Sequence, residues 1–336
     1  MDYFRFCESL RSRLPGIDPQ ALSAWEEFIA DMNAGDPRGA QQMRGELYVE
    51  MLLIQQDYGD ELATSLFNIL ILIATVGQLL LVNDPYEENF YSMLEAPSKQ
   101  YLFGTDAIGR SLFSRVVAGA KYSLIASFLM TFFTAAIGTA LGLLAGYLGG
   151  WVDTVVMRLC DVLLSLPTTV CAIAAVAVVG AGLGNLVLIL SLLWWTKYAR
   201  LTRNLLFKIR ASEYITEAQL GGENNFRIIT RYILPNVLPE IVVMCALDIG
   251  KMLLTLAGMS YLGLSATPPT PEWGYMLSEG RRYIQTAPWM IIYPGVAIFV
   301  CVLIFNILGD SVRDIMDPRY KNRKKRKKQK KDEVKS

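Results

Sequence analysis

The sequence predicts an all-α, polytopic membrane protein with six transmembrane helices. Three observations lead there. The 336-residue chain is 53% hydrophobic with a mean hydropathy of +0.32, which fits a multi-span membrane protein better than a soluble domain. Six segments are apolar over about the length that a helix needs to cross a ~30 Å bilayer core. Lys and Arg gather in particular connections between those segments, as they do in loops that stay inside the cell.

The first span is expected at about Leu66–Val82, following a polar, acid-rich stretch, so it reads as an uncleaved anchor. The second runs from about Ser123 to Leu148 and the third from about Val155 to Val179. The uncharged connection GAGLGN leads to a short fourth span, about Leu186–Tyr198. The fifth covers about Val237–Leu264 and the sixth about Met290–Leu308. The loop from Lys197 to Arg231 and the tail after the sixth span hold the main basic clusters, so both fall inside together with both termini. The long loop 84–122 is assigned outside despite Lys99, Arg110, Arg115 and Lys121, because long segments cross with less regard for charge. This gives three regions: an N-terminal cytoplasmic polar extension (1–61), a transmembrane domain (62–318) and a basic, disordered cytoplasmic tail (319–336). Anionic lipid is the expected neighbour of that tail. The extension reads as short amphipathic helices, either an accessory docking element or an addition with no dedicated role.

Composition also excludes chemistries. The chain has no histidine, which removes the commonest metal ligand and general base. Cys7, Cys160, Cys171, Cys245 and Cys301 are scattered without a CxxC pair, so neither a disulfide framework nor a zinc site is expected. Gly250-Lys251 lacks the surrounding pattern of a phosphate-cradling loop, so no ATP hydrolysis by this chain and no cofactor are expected.

Three sets of residues stand out. The polar stretch 213–236, EYITEAQLGGENNFRIITRYILPN, has Gly222 and Leu234-Pro235 placed for a helix, a turn and a second helix. Gly138, Gly142 and Gly146 leave one helix face bare, so another helix can approach closely, either in this subunit or in a partner. Asp248 and Lys251 share a face near mid-span, either lining a pathway or bonded to each other for packing. Arg158 and Asp161 repeat that spacing, where a structural pair is expected.

Stretch 213–236 resembles the coupling loop of ABC importer permeases, with Thr216, Glu217, Ala218, Gly222, Leu234 and Pro235 at the motif positions. Thr216 and Glu217 depart from the motif's first two positions, and Tyr232 stands where Ile is usual. FGTDAIGRSLFSRVVAGAKYSL (103–124), MSYLGLSATPPTPEWGYML (259–277) and FNILGDSVRDIMDPR (305–319) are similar, in the same order, to signatures of the dipeptide, oligopeptide and nickel permeases, Ser111 replacing an Asp. The chain is thereby identified as resembling a "C-type" subunit with the type I importer permease fold.

That resemblance implies a bacterial or archaeal cell (inner) membrane protein that docks onto ATPases through residues 213–235. It implies a second homologous permease, two cytoplasmic ATP-binding subunits and an extracytoplasmic solute-binding protein as partners, with membrane lipid around them and no nucleic acid. The solute would be a peptide, nickel or a metal chelate; Leu256, where many peptide-type members carry an acid, leans toward nickel. The competing reading is a secondary transporter or channel working without an ATPase, for which inverted repeats and several intramembrane acids would be expected.

Overall fold

The computed structural model of the chain describes Ser65, Asn68 and residues 83–265 and 268–316. The extension 1–61, all of the expected first span but Asn68, and the tail 319–336 lie outside the described residues.

After an irregular stretch with one 3-10 turn (Phe90–Ser92), α1 spans Leu112–Leu148. It starts about three turns earlier than the apolar run suggests. Ser111 caps it, its Oγ accepting the Ser114 N–H at 3.4 Å, so the serine keeps the capping ability of the aspartate it replaces. A short bridge between Thr105 and Ser111 is the one β-type pairing among the described residues.

The expected third span is not one straight helix. It comprises α2 (Gly150–Ser165) and α3 (Thr168–Val179), bent by 94°. Pro167 lacks an N–H, and its ring drives the preceding Leu166 into extended geometry (φ −100°, ψ 140°), where the helix breaks. The expected fourth span is α4 (Leu183–Trp194) followed at Trp195 by α5 (Thr196–Arg210). α5 is amphipathic: Tyr198, Ala199, Thr202 and Leu206 are buried, whereas Lys208 and Arg210 are exposed.

A short helix α6 (Glu213–Leu220) leads to α7 (Asn225–Tyr261), which contains a π-helical turn at Ile228–Ile233. A connection follows to α8 (Trp273–Gly280) and then α9 (Trp289–Met316). Among the described residues, α1, α7 and α9 are each long and apolar enough to cross a membrane, and the bent α2–α3 pair makes a fourth if counted as one.

The glycine face packs within this chain. A Cβ on Gly138 would lie 2.4 Å from the Trp195 carbonyl and 2.5 Å from Tyr198 Cβ; one on Gly142 would lie 2.5 Å from the Ala199 carbonyl. Gly146 is looser, with Leu206 Cδ2 at 3.2 Å. α5 therefore lies almost against the α1 backbone over about two turns. Ion pairs between Arg203 and Asp153 and between Arg200 and Asp161 (2.7 Å) tie α2 to α5, while Arg158 meets Asp161 only at 3.7 Å with both exposed.

Apolar packing follows the same frame. Leu112 and Val116 of α1 meet Leu253 of α7, Trp273 of α8 and Phe305 of α9 at one end. Met130, Leu190, Met252 and Leu256 fill the middle. Tyr198, Leu206, Ile215, Ile228 and Ile233 fill the other end. Gly138→Ala and Gly142→Ala are each expected to destabilise by about 1–3 kcal/mol through overpacking, and Gly146→Ala by less. Thermal melts of the purified variants check this order.

Candidate functional site

The stretch 213–236 folds as helix, turn and helix. Residues 220–223 form a tight helix-ending turn: the Glu223 N–H donates to the Ala218 carbonyl at 3.1 Å and the Gly222 N–H to the Gln219 carbonyl at 3.1 Å. Gly222 takes φ +77°, open to glycine without a Cβ penalty, and closes the Schellman pattern. The Asn224 side chain then accepts the Phe226 N–H at 3.3 Å and starts α7.

The π turn sits just ahead of Pro235. The Leu234 N–H reaches back to the Ile229 carbonyl, one residue further than an α turn allows, and the Asn236 side chain donates to the Tyr232 carbonyl at 2.6 Å. The ladder is rearranged and re-satisfied around a proline that has no N–H to give.

One face of this stretch is anchored. Ile215, Ile228, Ile233 and Val237 are buried against Leu143, Tyr147 and Leu206. Tyr147, at the end of α1, donates from its hydroxyl to Asn225 Oδ1 at 2.7 Å, and its carbonyl accepts from Arg210 at 3.2 Å. The other face is open. Thr216, Glu217, Gly222 and Pro235 are exposed; Ala218 and Leu234 are half-buried against the anchored face. Two apolar side chains that sequence reasoning missed complete the open face, Leu220 at 84% and Phe226 at 73% exposure. Their signal was present: bulky apolar residues on either side of a glycine turn in an otherwise polar stretch.

Asp248 and Lys251 bond to each other at 3.2 Å, but the two side chains differ in setting. Asp248 is buried and also accepts the Tyr198 hydroxyl at 3.3 Å, whereas the Lys251 side chain is 62% exposed. The pair thus links α7 to α5 through Tyr198, the residue that packs over Gly138. Gly138, Gly142 and Gly146 all lie beneath α5, on the path leading to α6. Leu256 is fully buried and lines no open face.

A third cluster lies at the opposite end, in stretches 103–124 and 259–277 and at Glu279 just beyond the second. Asp106 Oδ2 meets Arg110 at 2.6 Å and Arg115 at 3.4 Å; Glu279 meets Arg110 at 3.3 Å and Arg115 at 3.0 Å. Asp106, Arg110 and Arg115 are almost wholly buried. Four charges in alternation offset one another's desolvation and clamp α8 to the start of α1. Beside them, Glu272 caps α8 by accepting the Gly274 and Tyr275 N–H groups at 2.9 and 2.8 Å. Burial pushes its carboxyl above the ordinary range, and those two bonds pull it partly back. Trp273 donates to the Val116 carbonyl at 2.8 Å, and a Cβ on Gly119 would lie 2.2 Å from the Pro271 carbonyl. The charges were visible in the sequence, but nothing there paired residues so far apart.

Arg115→Met, which leaves two carboxylates to share Arg110 alone, is expected to destabilise the protein by about 3 kcal/mol. Arg158→Met, at an exposed and distant pair, is expected to change little. Melting temperatures of the two variants in the same detergent check the contrast.

Residues 138–322 match the family model described as "Binding-protein-dependent transport system inner membrane component". The chain is 41% identical over 252 residues to the dipeptide transport system permease protein DppC of Alkalihalophilus pseudofirmus, covering 75% of this chain and 83% of that one. It is 42% identical over 258 residues to the glutathione transport system permease protein GsiD of Pectobacterium atrosepticum, covering 76% and 85%. It is 38% identical over 257 residues to the nickel transport system permease protein NikC of Escherichia coli K12, covering 76% and 93%. Among solved structures, an inward-facing crystal form of the MetNI methionine ABC transporter aligns with a TM-score of 0.50 at 18% identity, over 61% of this chain and 98% of that one; the likeness is one of fold.

Proposed function

We propose a function from one plain premise: this chain belongs to the family of binding-protein-dependent transport system inner membrane components. It is the permease subunit of an ATP-driven importer and forms the solute pathway with a second, homologous permease. Two cytoplasmic ATPase subunits supply the energy, and an extracytoplasmic binding protein delivers the solute. Both termini lie in the cytoplasm. The names of the relatives support a peptide, glutathione, nickel or a nickel chelate as solute.

The observation that carries this reading is the two-faced stretch 213–236. Its inner face is fixed by Ile215, Ile228 and Ile233, while Glu217, Leu220 and Phe226 stand open. A segment held rigidly to the bundle but exposed on its far side transmits a push without absorbing it. Exposed apolar side chains rimmed by polar ones mark a protein–protein contact. We assign Thr216, Glu217, Ala218, Gly222, Leu234 and Pro235, together with Leu220 and Phe226, to ATPase docking. The segment performs no chemistry. It makes the inward- and outward-open states of the bundle differ in their fit to the ATPase states, and ATP binding shifts the population accordingly.

The test is a mild-detergent pull-down of the tagged chain with identification of what accompanies it. A P-loop ATPase and a second permease are expected. Leu220→Ser with Phe226→Ser is expected to lower ATPase recovery about tenfold or more while the melting temperature stays unchanged, since both side chains are exposed. Repeated recovery of the intact wild-type chain alone would overturn the importer reading.

A further inference from the structure

The open faces of the long helices differ in kind. α9 presents Ile292, Val296, Phe299 and Leu303, and α1, beyond an exposed Lys121 nearer its start, presents Ile125 and Phe132, which suit lipid. α7 presents Lys251 instead, followed on the same face by Leu254, Thr255 and Gly258, where a Cβ would meet no atom within 4 Å. Lys251 lies roughly 15 Å short of the Tyr261 end at 1.5 Å per residue, which is near the middle of a ~30 Å apolar core. An ammonium exposed at that depth to lipid is costly, so this face looks onto water or a polar group.

The surroundings of Lys251 are built rather than incidental. Asp248 is buried, with Oδ1 taken by Lys251 and Oδ2 by the Tyr198 hydroxyl, and Tyr198 is itself fully buried over Gly138. The carboxylate is therefore fixed to two helices, and it steadies one N–H of the ammonium. An ammonium has three donors, and this side chain is 62% exposed, so the bond to Asp248 leaves donors for a further acceptor. Beside them, Gly258 adds no side chain and Thr255 turns its hydroxyl back to the Lys251 carbonyl at 2.8 Å, leaving room next to the cation.

We propose that Lys251 contacts the transported solute and that the group it takes is a carboxylate; this rests on the permease reading above. Asp248 offsets part of the charge, so the site attracts an anion without trapping it, as a transit point requires. A peptide C-terminus, the carboxylates of glutathione and those of a metal chelator share this chemistry. An aquated Ni2+ ion does not, and the ammonium repels it.

The full assembly of this chain, its second permease, ATPases and binding protein, reconstituted in proteoliposomes, provides the test. Uptake of a dipeptide, of glutathione, of nickel citrate and of aquated Ni2+ is measured at saturating binding protein for wild type, Lys251→Met and Lys251→Arg. Lys251→Met is expected to slow the carboxylate-bearing probe that the wild type carries by about tenfold, the loss of a charge-assisted bond. Lys251→Arg is expected to retain the rate to within about twofold. Which of the three probes responds identifies the source of the carboxylate. Equal rates for wild type and Lys251→Met, or wild-type uptake of aquated Ni2+ alone or of nothing, overturns the proposal. So does loss of the second permease from the Lys251→Met preparation, which would make Lys251 an interface residue. Absence of ATPase from the wild-type preparation overturns the importer reading along with it, and is recognised separately at purification.

Discussion

The approach of α5 to α1 over Gly138 and Gly142 is the constraint on which the other contacts depend. Any side chain there would push α5 outward by about 1 Å, because the atoms that a Cβ would meet are largely backbone. α5 carries Tyr198 to Asp248, Arg203 to Asp153, and Leu206 to the cluster beneath α6. Each of those contacts has a fixed reach, so each depends on the backbone separation that the glycines set. In a membrane, where apolar side chains gain little by leaving lipid for protein, such close backbone packing is a main source of helix association.

The two ends of the bundle are secured by different means. At the end bearing α8 an ionic cluster is added to the apolar packing, with Asp106, Arg110 and Arg115 almost wholly buried and Glu279 partly exposed. At the other end the contacts are mainly apolar, with Ile215, Ile228 and Ile233 filling a pocket closed by Tyr147 and Leu206. Ionic clamps are specific in direction and costly to break singly. Apolar seats tolerate small sliding of one element over another before they lose much area. The segment assigned to force transmission rests on the second kind of contact.

Much of this was legible in the sequence. Gly222 and Pro235 delimited the turn and the rearranged helix start, because glycine and proline declare their backbone geometry directly. The apolar cores of α1, α7 and α9 followed from the length of their apolar runs. The start of α1 was hidden because Arg115 and Lys121 interrupt the apolar run, and the carboxylates of Asp106 and Glu279 explain how Arg115 lies there. The break at Pro167 was obscured by uniformly apolar residues on both sides, which fit one span as well as two helices. At Asp248 and Lys251 the two readings were open, and the bond between them coexists with an exposed ammonium. Leu220 and Phe226 escaped notice since sequence pattern does not distinguish an apolar residue that packs from one that stands clear.

The π turn at Ile228–Ile233 has a geometric consequence for everything after it. A turn of that kind holds one residue more than an α turn, and each residue advances an α-helix by about 100°. Were the turn to relax to α geometry, the face bearing Lys251 would swivel by about that angle relative to the stretch before it. Such a relaxation would turn the junction between α6 and the body of α7 as a screw rather than bend it as a hinge. A displacement along the helix axis at one end can emerge at the other as a change in which side chains line the open face.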